Sequence, residues 1–151
     1  MSTPTCIAVG FDGSSDSEAA LRWAASLASA LGATLKVVHA VGLLEHAGLS
    51  PLVAHERRAR SIAADEGVDA ANLEWCVFDG DPGSVLSRSA QGEHAAELLV
   101  VGTRGTGAHP GTLLGSTSLG LVERAPVPVV VVPAPSGNVT RLRAPDGSPP
   151  A

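Results

Sequence analysis

Aromatic side chains are scarce, with two Trp, two Phe and no Tyr making up 3% of 151 residues. A core must therefore be packed from Ala, Val and Leu, and an apolar content of 44% is enough for one. Lysine is scarcer still: Lys36 stands alone. With a net charge of −5, the chain lacks the basic patch that neutralises phosphates in a nucleic-acid complex, which argues against nucleic acid as a partner. The two cysteines, Cys6 and Cys76, sit inside apolar runs, form no CxxC pair and read as small buried hydrophobes. Nothing points to an oxidising compartment. No apolar run approaches the roughly 18 residues of a membrane span. The opening MSTPTCIAVGFDG lacks the basic start and long apolar stretch of a signal peptide. The expectation is a soluble cytoplasmic protein of one domain, with no membrane partner.

Five short apolar runs punctuate the chain, at 6–9, 35–41, 73–78, 98–101 and from Val127 to Val132. Several are continuous rather than alternating, the pattern of strands buried on both faces of a parallel sheet. Helical patterns lie between them. The clearest covers 15–31, with Ser15 and Glu18 as a capping box, Ala20, Ala24, Leu27, Ala28 and Leu31 as an apolar stripe, and Gly32 as a stop. A second helix is expected over 51–66, a third from Pro82 to about Gln91 after Asp81, and a fourth from Ser116 to Ala125. This alternation predicts an α/β fold, an open doubly wound five-stranded parallel sheet with helices on both faces. Such sheets bind ligands at the carboxyl ends of their strands, where the strand order reverses. The two most glycine-marked strand ends are Gly10-Phe11-Asp12-Gly13 and Gly102-Thr103-Arg104-Gly105. Residues 1–134 are expected to form the domain. Residues 135–151, rich in Pro, Gly, Ser and Arg, are expected to form a disordered tail.

The stretch GTRGTGAHPGTLLGSTS, residues 102–118, follows the fourth apolar run. Glycine permits positive φ and lets a phosphate approach without a Cβ in the way. Gly115-Ser116-Thr117-Ser118 leads into a helix, whose start offers unpaired N–H groups and a positive dipole end to an anion. Ser116, Thr117 and Ser118 add hydroxyl donors, and Arg104 is a candidate charge clamp. Neither GxxxxGK[ST] nor GxGxxG is present.

The spacing G-x2-G-x9-G-[ST] of Gly102, Gly105, Gly115 and Ser116 resembles that of the ATP-binding branch of the universal stress protein family. CIAVGFDGSSDSEAALRWA resembles the family's opening, and FDGDPGSVL, AAELLVVGTRG and APVPVVVVP resemble later motifs in the same order. The resemblance covers about residues 4 to 134. It implies strand order 3-2-1-4-5, a Rossmann-like arrangement of the adenine nucleotide alpha hydrolase type, and a homodimer that pairs the run Val127 to Val132. It also implies a binding site for ATP, or for ADP or AMP in its place. Asp12, with Gly10 and Phe11, would lie near ribose and adenine, and Ala40 would line the adenine pocket. Val101, Gly102, Arg104, Gly105, Gly115, Ser116, Thr117 and Ser118 would surround ribose and phosphates. Mg2+ would be held through the phosphates. Ala40 is smaller than the valine often found there, which implies a looser pocket, and the short segment 42–50 implies less of a lid.

Other chemistries find less support. Asp12 also reads as the opening of a turn into a helix. The string Asp12-Gly13-Ser14-Ser15-Asp16-Ser17 faintly resembles an SGGxDS pyrophosphatase loop, but the loop's two glycines are not both present. None of His39, His46, His55, His94 and His109 falls in a metal-ligand spacing, and no GxSxG elbow exists. His39 is expected to be partly buried and the other four exposed. Arg57, Arg58 and Arg60 read as a solvated helix face. The resulting expectation is a nucleotide-binding regulatory dimer of the stress response without fast catalysis. A slow ATPase or self-phosphorylating protein using Ser116, Thr117 or Ser118, and an interaction dimer without nucleotide, stand as alternatives.

Overall fold

A computed structural model describes residues 2–42, 49–104 and 114–135. The elements alternate: β1 (Cys6–Gly10), α1 (Ser15–Leu31), β2 (Thr34–Val41), α2 (Leu49–Asp65), β3 (Leu73–Asp79), α3 (Pro82–Ser89), β4 (Leu98–Gly102), α4 (Ser116–Arg124) and β5 (Val129–Val132). The strands form one sheet in the order β3-β2-β1-β4-β5, and every neighbouring pair is parallel. This is the predicted doubly wound, Rossmann-like topology. The order reverses between β1 and β4, so their carboxyl ends open the crevice that such sheets use for ligands.

Burial follows from that order. β1 and β4 lie inside the sheet, and Ile7, Ala8, Val9, Leu99 and Val100 are wholly buried. Alternate residues split between two cores. Ile7, Val9, Leu35, Val37 and Val100 pack under α1 and α2, while Ala8, Val38, Leu99 and Val101 pack under α3 and α4. The edge strand β3 does not share this burial: Val77 and Phe78 are exposed.

Helix α1 begins and ends where expected, but two of its details differ from the expectation. Its cap is Ser14, whose Oγ accepts the Ser17 N–H at 3.2 Å. Asp12 Oδ1 already holds the Ser14 N–H at 3.0 Å, which places the end of the turn at Ser14 rather than Ser15. Glu18 closes no capping box. It faces α2, where Arg58 Nε and Nη2 each donate to it at 2.8 Å. The buried stripe is Ser17, Ala20, Leu21, Ala24, Ala25 and Ala28, and Leu31 is exposed. Four alanines on this face bring the helix axis close to the sheet, and Leu31, on the last turn, lies beyond the edge of that contact. Gly32, at φ 64°, stops the helix as expected. Asp81 caps α3 through the Ser84 N–H at 3.0 Å, with Pro82 at its first position.

Gly105, His46, His109, most of the segment 42–50 and the tail from 136 lie outside the described residues. No described helix is long and apolar enough to cross a membrane.

Candidate functional site

A cleft opens at the carboxyl ends of β1, β2 and β4, between the starts of α1, α3 and α4. Gly10, Phe11, Asp12, Ala40, Val101, Gly102, Arg104, Thr117 and Ser118 line it, joined by Ser17, Val38, Pro82 and Leu86. The last four were not legible as site residues. Val38 and Leu86 look like ordinary core positions in sequence, and only the topology brings them to the strand ends. Gly115 and Ser116 are not on this lining. The Gly115 N–H donates to Thr103 O at 2.7 Å, and Ser116 borders a separate polar groove between α3 and α4, with Ser84, Ser87 and Arg124.

The cleft has two ends of different character. Gly10, Val38, Ala40, Pro82, Leu86 and Val101 form an apolar wall. The cavity measures about 100 Å3, less than the ~150 Å3 that encloses a benzene ring. A ring laid against the apolar wall would therefore extend past it toward the open side. Gly10 lets Leu86 pack closely on the strand end, since a Cβ there would meet the flexible Leu86 Cδ1 at 2.9 Å. At the other end stand Arg104 and the start of α4. The first bond in the α4 ladder runs from the Leu119 N–H to Gly115 O at 3.0 Å, which leaves the N–H groups of Ser116, Thr117 and Ser118 outside the ladder. The Ser118 hydroxyl, expected as a phosphate donor, is already committed: it donates to Gly102 O at 2.6 Å and Thr103 O at 3.2 Å. Burying that side chain requires a partner for the hydroxyl, and the strand end supplies it.

Asp12 serves the turn as well as lining the cleft. Its N–H donates to Ser17 Oγ at 3.3 Å and its Oδ1 accepts from Ser14. Behind Phe11, His39 is buried more fully than the expected partial burial, and its Nδ1–H donates to Phe11 O at 2.7 Å. His55 departs from the expectation of exposure. Its ring lies 5.1 Å from that of His39 and 6.0 Å from that of Phe11, and its Nδ1 is buried without a partner among the described residues. Gly13, at φ +81°, makes room for it, since a Cβ there would stand 2.6 Å from His55 Nε2. Both cysteines lie away from the cleft, and burial pushes both thiols up from their ordinary values. Among the described residues no group of three or more His, Cys, Asp or Glu side chains could hold a metal ion.

The model of the Universal stress protein family matches residues 5–133. The chain belongs to that family. A universal stress protein of Mycolicibacterium smegmatis is 31% identical over 95% of this chain and 54% of its own length. One encoded beside a sulfhydrylase gene in Thermus aquaticus is 34% identical over 83% of this chain and 96% of its own length. The chain thus spans about half of the first relative and nearly all of the second. Among solved structures, a universal stress protein in complex with cAMP superposes with a TM-score of 0.72 at 31% identity, over 87% of this chain and 98% of that one.

Proposed function

We propose that this family member binds an adenine nucleotide in the cleft and acts as a cytoplasmic regulatory dimer in the stress response, without fast turnover. The observation that carries the reading is the joining of an apolar wall to a cationic, N–H-rich end at the point where the strand order reverses. Adenine fits the apolar wall beside Ala40, ribose lies by Asp12, and phosphates face Arg104 and the first turn of α4. The complex of a 31% identical relative with cAMP supports the same ligand class, and the glycine spacing favours ATP, ADP or AMP within it. Arg104 is the only Lys or Arg on the described lining. A triphosphate would therefore bring Mg2+, held through its own oxygens.

The dimer reading rests on β5. Its four valines are half-buried at the open edge of the sheet, and the nearby α4 exposes Leu119 and Val122. An apolar edge of this kind invites pairing, and a second copy offers the same edge. Light scattering with size-exclusion chromatography should give a dimer for the native chain and a monomer for Val122→Asp. A monomeric native chain removes this part of the proposal. For the nucleotide, calorimetry with ATP and Mg2+ should give saturable binding, and absence of heat and of competition at millimolar ATP would sink it.

A further inference from the structure

Asp16 occupies the second position of α1, yet it reaches the end of β4. Its Oδ2 accepts from the Thr103 hydroxyl at 2.6 Å and from the Arg104 N–H at 3.0 Å. The backbone of Asp16 also packs closely on this strand end, because a Cβ on Gly102 would stand 2.7 Å from the Asp16 carbonyl carbon and oxygen. Across the strand end, Ser118 and Gly115 of the α4 start bind the carbonyls of Gly102 and Thr103. The segment from Gly102 to Arg104 is therefore gripped twice, on its carbonyl side by α4 and on its donor side by Asp16.

We propose that Asp16 is a positioning residue for the phosphate end of the ligand, fixing Arg104 relative to the first turn of α4. The inference rests on the nucleotide reading above and extends it to a residue outside the cleft lining. Removing the carboxylate frees the Thr103 hydroxyl and the Arg104 N–H while leaving the carbonyl side held, so the strand end persists and Arg104 loses its fixed place. The sign of the effect separates positioning from simple electrostatics. Deleting a negative charge close to bound phosphate would, by charge alone, tighten binding; loss of positioning weakens it. Asn at this position keeps an oxygen in place of Oδ2 and should restore the grip.

The test titrates ATP with Mg2+, and adenosine, into the native chain, Asp16→Ala and Asp16→Asn, with circular dichroism as a check on folding. For Asp16→Ala we expect about tenfold weaker ATP binding, equivalent to about 1.4 kcal/mol, with adenosine affinity within about twofold of native. Asp16→Asn should return ATP binding to within about twofold. If Asp16→Ala fails to fold, Thr103→Val takes its place and should weaken ATP in the same direction by less. Unchanged or tighter ATP binding, parallel loss of ATP and adenosine, or an Asn variant as weak as the Ala variant overturns the proposal. A native chain that binds neither ligand overturns the nucleotide reading and this inference with it.

Discussion

At the end of β1 the turn from Asp12 to Ser17 is held by local bonds, Asp12 to Ser14, Asp12 to Ser17 and Ser17 to Ser14, while Phe11 just before it is tied to β2 through Val38 and His39. At the end of β4 the corresponding bonds reach far along the chain, from Thr103 and Arg104 to Asp16 and from Ser118 back to Gly102. Both ends carry glycine and both line the same cleft. The turn bonds of the first are local and of a kind that any strand-to-helix connection could use. The second exists only because the sheet order sets β1 beside β4. It follows that the β1 end should tolerate local change at modest cost, while the β4 end should couple stability to ligand binding.

Gly102→Val should have the largest effect. The added side chain meets backbone rather than a flexible side chain, Asp16 at 2.7 Å, so overpacking should cost about 1–3 kcal/mol and abolish ATP binding, as read by urea denaturation and calorimetry. Ser118→Ala comes next. It removes the donor to Gly102 O and should cost about 1–3 kcal/mol, again with weaker ATP binding. Ser14→Ala tests the contrast from the other side: loss of the α1 cap should cost about 1 kcal/mol, with ATP affinity unchanged. An equal loss of affinity in Ser14→Ala and Ser118→Ala would erase the difference between the two ends. The smallest effect is expected at Glu18, whose carboxyl the Arg58 guanidinium holds below its ordinary 4.5. Because the folded pKa is the depressed one, the pair stabilises the fold above pH 4.5 and its contribution fades as pH falls through the folded value. Urea midpoints of the native chain and Glu18→Gln should therefore differ slightly at neutral pH and converge in acid.

The same contrast explains how much was legible in the sequence. Continuous apolar runs alternating with helical stripes predicted five parallel strands and four helices, with ends mostly within a few residues of those observed, because these signals are local. Asp81, Pro82 and Gly32 marked helix ends for the same reason. The cap at Ser14 was missed by one position, since Ser14 and Ser15 offer the same hydroxyl side by side and only the Asp12 bond selects between them. The partial burial of His55 depends on α2 crossing Gly13, a packing fact with no sequence signature. The tie from Asp16 to Thr103 spans 87 residues and was equally hidden. The glycines of the cleft were visible individually. That Gly115 spends its N–H on Thr103, and that Ser118 spends its hydroxyl on Gly102, required the assembled strand end.

Native mass spectrometry of the chain with added ATP and Mg2+ tests the central claim most directly, because it reads subunit count and ligand together. The account predicts a dimer carrying one nucleotide per subunit, with the ligand lost in Gly102→Val under the same conditions. A native chain whose mass stays that of the bare protein at millimolar ATP, ADP, AMP and cAMP would contradict it.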